Sequence, residues 1–189
     1  MQLEQGKYLI GGLDPLELVE QYDCPLYVYD SSIIKRQYNR LVDAFDYANL
    51  KVNYACKALT NISILKLLKN LGSCLDTVSI QEVRLGLKAG FSPDKITYTP
   101  NCVGIEELEY ATELGVKINI DNLSILEQFG TKHPHYPVCI RINPHIMAGG
   151  NSKISTGHID SKFGISMHQV PHIKPVSYTH LTLPTKPSV

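Results

Sequence analysis

Val52-Asn53-Tyr54-Ala55-Cys56-Lys57 is a short apolar run ending on a lysine, and an amphipathic helical stretch from Thr60 to Leu71 follows it directly. A strand that feeds a helix in this way aims its last residue at the open end of an α/β fold, where parallel-sheet proteins bind their ligands. Lys57 is therefore a candidate for chemistry, whereas a lone surface lysine would need no such role. The same unit recurs downstream. Leu71-Gly72, Ala89-Gly90, Leu114-Gly115 and Phe129-Gly130 punctuate the chain. Each follows a helical pattern, where a left-handed cap needs a residue without Cβ.

The spacing predicts strands near 51–56, 74–78, 95–99, 116–120 and 137–142, and helices near 60–71, 79–89, 104–114 and 122–129. Alternating β and α units with short joints make a parallel sheet covered by helices, either closed as a barrel or left open. Ser79-Ile80-Gln81-Glu82 is a capping box, so neither Ser79 nor Glu82 needs a catalytic role. Asp121 or Asn122 is expected to cap the last of these helices. Residues 1–50 do not follow the repeat. There, Leu16 to Tyr22 reads as a short helix, Pro25-Leu26-Tyr27-Val28-Tyr29 as a strand, and Ser31 or Ser32 as the cap of a helix running to Phe45.

Lysine plus arginine and aspartate plus glutamate each number 18, so no net field favours nucleic acid or an acidic membrane, and small molecules are the expected partners. A hydrophobic fraction of 43% with 19% charged residues is enough to build a core. No leader pattern and no apolar run of membrane-spanning length occurs, which predicts a cytoplasmic protein. The five cysteines, Cys24, Cys56, Cys74, Cys102 and Cys139, are odd in number and widely spaced. They read as small buried hydrophobes and not as disulfides or zinc ligands. Among the seven histidines no His-x-x-x-His spacing falls on a convincing helix, and no metal site is expected.

Several segments carry a family resemblance, spread from about Pro25 to Val170. Tyr54-Ala55-Cys56-Lys57-Ala58-Leu59, with Ile64, Leu65, Leu68 and Gly72, resembles the pyridoxal-phosphate attachment signature of the fold-type III amino-acid decarboxylases. Leu75-Asp76-Thr77-Val78-Ser79 and Ile140-Arg141-Ile142-Asn143-Pro144 resemble two further strand motifs of that family. Ile154-Ser155-Thr156-Gly157-His158-Ile159-Asp160-Ser161-Lys162-Phe163-Gly164-Ile165, taken with the Asn-Pro of 143–144, is similar to the diaminopimelate decarboxylases within it. The ornithine and arginine decarboxylases share the Lys-Phe-Gly core but not the preceding Thr-Gly segment and the Asn-Pro together.

The resemblance implies part of a (β/α)8 barrel over residues 31–175 and, for 1–30, a segment associated with a second, mainly C-terminal β domain. It implies pyridoxal 5'-phosphate as cofactor, held covalently by Lys57. It also makes Asp76 a candidate for orienting Lys57, with helix capping as the alternative, and puts Arg141 near the cofactor pocket. Arg141 follows an apolar run, so its charge needs a partner: a phosphate, a carboxylate on the pyridine side or a plain salt bridge. The implied reaction is decarboxylation of meso-diaminopimelate to L-lysine, in lysine biosynthesis, by a homodimer acting on an amino-acid substrate. Another decarboxylase of the ornithine or arginine type, or a non-catalytic pyridoxal-phosphate barrel, is the alternative. The family's stacking histidine, glycine-rich phosphate loop, ring-nitrogen glutamate and Cys-Glu-Ser-Gly segment would all fall after Val170, so the 189 residues alone are expected to be inactive.

Two segments stand apart. Residues 144–161, with Gly149-Gly150-Asn151-Ser152, are too long for an ordinary joint and are expected to form a lid on the catalytic face. Val176-Ser177-Tyr178-Thr179-His180-Leu181-Thr182-Leu183-Pro184-Thr185 resembles a translated sequencing adapter. Together with Pro175 and Pro187 it offers neither a helical face nor a core strand. Residues 176–189 are therefore expected to be a non-native tail.

Overall fold

The structure, a computed structural model, describes residues 2–4, 6–47, 49–146, 157 and 161–173, so most of the expected lid and the whole expected tail lie outside the described residues. The chain divides into two compact units, Met1–Val52 and Asn53–Val189.

In the first unit, Gly6 takes a positive φ of 76° between β1 (Gln2–Glu4) and β2 (Lys7–Leu9), which pair antiparallel with Leu3 opposite Tyr8. Strands of three residues leave almost no periodic signal, and the sequence reading missed both. Helix α1 (Pro15–Tyr22) starts where Asp14 accepts from the Leu16 amide at 2.9 Å. That bond, then the Lys7 ammonium, holds the Asp14 carboxyl below the usual carboxylate range. The cap of α2 (Ser31–Asp43) is Asp30, and neither Ser31 nor Ser32 as expected. A single Asp30 oxygen takes the Ser32 hydroxyl at 2.6 Å and the amides of Ser32 and Ile33, an acceptor load suited to a carboxylate. Pro25–Tyr29 forms no strand. Among the described residues of this unit it pairs with no strand, and Tyr27 stands 84% exposed; apolar alternation permits a strand but only a hydrogen-bonded neighbour makes one.

The second unit realises the repeat. Strands β3 (Asn53–Ala55), β4 (Cys74–Thr77), β5 (Ile96–Tyr98), β6 (Lys117–Ile120) and β7 (Val138–Ile140) pair parallel in chain order. Between them run α3 (Ile62–Asn70), α4 (Ile80–Ala89), α5 (Ile105–Glu113) and α6 (Leu123–Lys132). Strand order without reversal is the order of a (β/α) barrel; a doubly wound sheet changes direction at a switch point. Beyond β7, β8 (Ile142–Asn143) pairs parallel with β9 (Ile165–Ser166).

The apolar periodicity explains the packing. Leu75, Ile96, Tyr98, Ile118 and Ile120 are fully or almost fully buried on one side of the sheet, in one cluster with Leu65 of α3, Val83 of α4, Leu108 of α5 and Leu126 of α6. Each such side chain contributes roughly 1.5–3 kcal/mol on leaving water. Gly72, Gly90 and Gly115 take positive φ at helix ends as predicted, but Gly130 does not. It is buried within α6, which runs on to Lys132. The cysteine expectation also needs correction: Cys56 and Cys74 are buried, whereas Cys24, Cys102 and Cys139 are exposed. Cys139 belongs to the outermost strand of the five-stranded sheet, where alternate residues lose their cover.

Candidate functional site

The two faces of the sheet differ in chemistry. The register pairs Ala55 with Asp76, Asp76 with Thr97, Thr97 with Lys117, and Asn119 with Cys139. Because side chains alternate across a strand, these residues share the face opposite the helices. A parallel sheet packed on both sides normally reads apolar throughout, so a polar row marks a face that serves something else.

A directed chain of hydrogen bonds crosses that face. Thr99, one residue beyond β5, donates its hydroxyl to Asp76 Oδ1 at 2.7 Å. The Asn119 side-chain amide donates to Thr99 Oγ1 at 2.8 Å. Further out, Asn101 Nδ2 donates to Asp121 Oδ2 at 2.7 Å and to the Lys162 carbonyl at 3.3 Å. Asp121 is free for this because Asn122 caps α6, accepting from the Ile125 amide at 3.2 Å. Sequence reasoning passed over Thr99, Asn119 and Asn101.

Lys57 lies at the C-terminal end of β3 in a short 3-10 turn, Cys56–Ala58, and it is exposed. Ala55, two residues earlier, is the register partner of Asp76. Among the described residues no ion pair joins Lys57 to Asp76. Asp76 caps no helix: α4 is capped by Ser79, whose hydroxyl accepts from the Glu82 amide at 3.3 Å. Glu82 reaches back one residue further than a standard box, accepting from the Val78 amide at 2.8 Å. Next to Lys57, Cys56 is fully buried, and its thiol is pushed up to about 11 by burial first and then by the carboxylates of Glu82 and Asp76. It stays a neutral, inert thiol at the base of the lysine turn.

Arg141 is placed by its backbone, donating to the Ile120 carbonyl at 2.9 Å and accepting from the Ile165 amide at 2.8 Å. It thus bridges β6 and β9. Its guanidinium lies 4.6 Å from the Phe163 ring centroid, and Lys162 Nζ lies 5.3 Å from the same centroid. Among the described residues the partner found for Arg141 is the aromatic face of Phe163, and no ion pair is formed there. The Lys162-Phe163-Gly164 segment therefore acts in part by clamping the Arg141 side chain.

Around these strand ends lies a cleft of about 350 Å³ lined by Asn101, Cys102, Asn119, Asp121, Ser124 and Lys162. Neither Lys57 nor Asp76 lines it. Volume therefore points to β5 and β6, while the amine chemistry points to β3 and β4, joined to them by the Asp76–Thr99–Asn119 chain. The accessible amine of Lys57 and the carboxylate of Asp76 lie on neighbouring strands at that end of the sheet. The donor set fits pyridoxal phosphate: an exposed lysine amine, a carboxylate held through one oxygen, and a polar sheet face at the C-terminal strand ends. Among the described residues no cluster of three or more His, Cys, Asp or Glu could hold a metal, and no helix is long and apolar enough to cross a membrane.

A family model described as "Pyridoxal-dependent decarboxylase, pyridoxal binding domain" matches residues 31–183. Diaminopimelate decarboxylase of Methanothermobacter thermautotrophicus is 40% identical over 173 residues, covering 90% of this chain and 40% of the relative. The Bacillus subtilis diaminopimelate decarboxylase is 37% identical over 174 residues, 88% of this chain and 40% of the relative. The chain thus spans about two fifths of the length of the curated relatives it matches. Among solved structures, diaminopimelate decarboxylase from M. jannaschii in co-complex with L-lysine aligns with a TM-score of 0.80 at 30% identity, over 94% of this chain and 43% of that one. The parallel sheet described above matches the N-terminal barrel portion of such structures. With the family match covering most of its length, the chain belongs to the pyridoxal-dependent decarboxylases, through their pyridoxal-binding domain.

Proposed function

We propose that Lys57 carries pyridoxal phosphate and that the protein decarboxylates meso-diaminopimelate to L-lysine. The observation that carries this reading is the position of Lys57: an exposed amine at the C-terminal end of β3, beside Asp76 on the neighbouring strand, inside the matched pyridoxal-binding segment. The substrate assignment is supported by relatives named diaminopimelate decarboxylase at 40% and 37% identity, and by one crystallised with L-lysine.

When bound, the cofactor supplies a pyridine ring that takes up the electron pair left as carbon dioxide departs. The rest falls to the side chains. Lys57 Nζ would hold the cofactor and, when not so engaged, would carry a proton at the strand end. Asp76, held through Oδ1 by Thr99, presents its other oxygen as a fixed acceptor for that amine. Arg141, stacked on Phe163, lends a positive charge to the same strand ends.

Two measurements test the reading. Visible absorbance of protein-bound cofactor should be lost in Lys57→Ala; a band that survives the substitution removes Lys57 from the role. Carbon dioxide release by the whole protein should be fastest with meso-diaminopimelate, and faster release from ornithine or arginine would reassign the substrate.

A further inference from the structure

The side chains of Thr99 and Asn119 have no task in the sheet itself. The Thr99 amide already donates to the Thr77 carbonyl at 2.7 Å, and an apolar β-branched residue would suit the strand end equally well. Both residues are half-buried, where a polar group costs free energy unless it is paired. Both are paired, and the pairing has a direction. With its Nδ2 facing Thr99, Asn119 only donates, so Thr99 Oγ1 must accept there, and its single proton is committed to Asp76 Oδ1. A hydroxyl donating to a carboxylate at 2.7 Å is a charge-assisted bond, which fixes the carboxylate's rotation. Among the described residues no hydrogen bond reaches the second Asp76 oxygen.

We propose that Thr99 and Asn119 are positioning residues of the lysine site: Asn119 sets the Thr99 proton, and Thr99 locks Asp76 with its free oxygen available to the Lys57 amine. The inference rests on the assignment of Lys57 and Asp76 made above. Three adjacent strands, β4 to β6, thereby act on an amine carried by a fourth, and the site's geometry depends on sheet register as well as on its own residues.

The test uses the full chain incubated with pyridoxal phosphate, reduced with borohydride, and mapped by peptide mass spectrometry, with label at Lys57 measured against the other lysines of the same sample. Thr99→Val should lower Lys57 labelling by about tenfold, the lower end of what losing an outer hydrogen-bonding partner costs a site. Thr99→Ser, which keeps the hydroxyl, should retain it, and Asn119→Ala should lower it by less. A purely structural role would not spare the other lysines or be rescued by serine. If Thr99→Val labels Lys57 like the parent while Asp76→Asn does not, the inference is overturned and the site assignment stands. If labelling ignores Asp76→Asn, or spreads evenly over the lysines, the assignment fails and takes the inference with it. A cofactor-free readout covers variants that do not fold or label: the side-chain nitrogen resonance of Lys57 should shift in Asp76→Asn and in Asn119→Ala alike. A resonance that follows Asp76 but ignores Asn119 also overturns the proposal.

Discussion

The backbone of Gly164 crosses that of Asn143 so closely that a Cβ on residue 164 would stand 2.8 Å from the Asn143 amide nitrogen and 2.9 Å from the Ile142 carbonyl carbon. Its φ of 83° adds a conformation that side-chain-bearing residues avoid. Gly164→Ala should therefore destabilise the second unit by roughly 2–4 kcal/mol, combining overpacking against rigid backbone with the left-handed penalty. Urea unfolding measures this. The same substitution should also part β8 from β9 and loosen Phe163 from Arg141. A loss below about 0.5 kcal/mol, the scale of an ordinary surface change, would show that the crossing yields freely.

Tyr98 is fully buried and donates its hydroxyl to Glu107. Burial first, and the Glu107 carboxylate second, push its ionisation well above the ordinary tyrosine range. The folded pKa is raised, so this stabilisation is complete below the unfolded value near 10 and is lost as pH rises from there toward the folded value. Melting temperature should fall from about pH 10 upward, and Tyr98→Phe should flatten that fall. The substitution itself should cost about 1–3 kcal/mol at neutral pH by leaving Glu107 short of a donor. An equally steep alkaline fall in the phenylalanine variant would assign the effect elsewhere, with Tyr136, also raised by burial, the next residue to replace.

The repeat was legible because each strand and helix has a full period to display. The five strands of the parallel sheet and the four helices between them lie within a few residues of where periodicity put them. Gly72, Gly90 and Gly115 were readable because a left-handed cap is a one-residue requirement; Gly130 misled because a buried helical glycine looks the same in sequence. The first unit was less legible, since β1 and β2 are three residues long and Pro25–Tyr29 had the pattern of a strand without a neighbour. At the site, Lys57, Asp76 and Arg141 stood out by motif, whereas Thr99 and Asn119 did not. Their signal was nonetheless present: Ile96-Thr97-Tyr98-Thr99 and Ile118-Asn119-Ile120-Asp121 alternate apolar and polar where a fully buried parallel strand would not. What no sequence shows is the register that brings the two polar positions to Asp76.

The cysteines divide by exposure, and alkylation should follow the division. In native protein at pH 8, Cys24, Cys102 and Cys139 should react readily, while Cys56 and Cys74 should react only after unfolding. Cys56 is doubly protected, by complete burial and by a thiol that stays neutral up to about pH 11. Mass spectrometry after a short native pulse should therefore find three modified sites. Early modification of Cys56 would mean that the Lys57 turn opens on that timescale.

Glu82 joins the helix cap to the site, and two substitutions separate its roles. Its carboxylate accepts from the Val78 amide at 2.8 Å, just past Asp76, and is the larger cause, after burial, of the raised Cys56 ionisation. Glu82→Gln keeps an acceptor for Val78 but removes the charge. Glu82→Ala removes both and leaves the Val78 amide without its acceptor. The glutamine variant should lose about 0.5–1 kcal/mol, mainly the favourable charge at the start of α4, and the alanine variant about 1–3 kcal/mol, the cost of an unsatisfied donor. In both, the Cys56 thiol should ionise at lower pH, read from thiolate absorbance in a variant lacking the other four cysteines. Stability equal in the two variants would show that charge and not the hydrogen bond matters at Val78. A Cys56 titration unchanged in both would place Glu82 outside the electrostatics of the lysine turn.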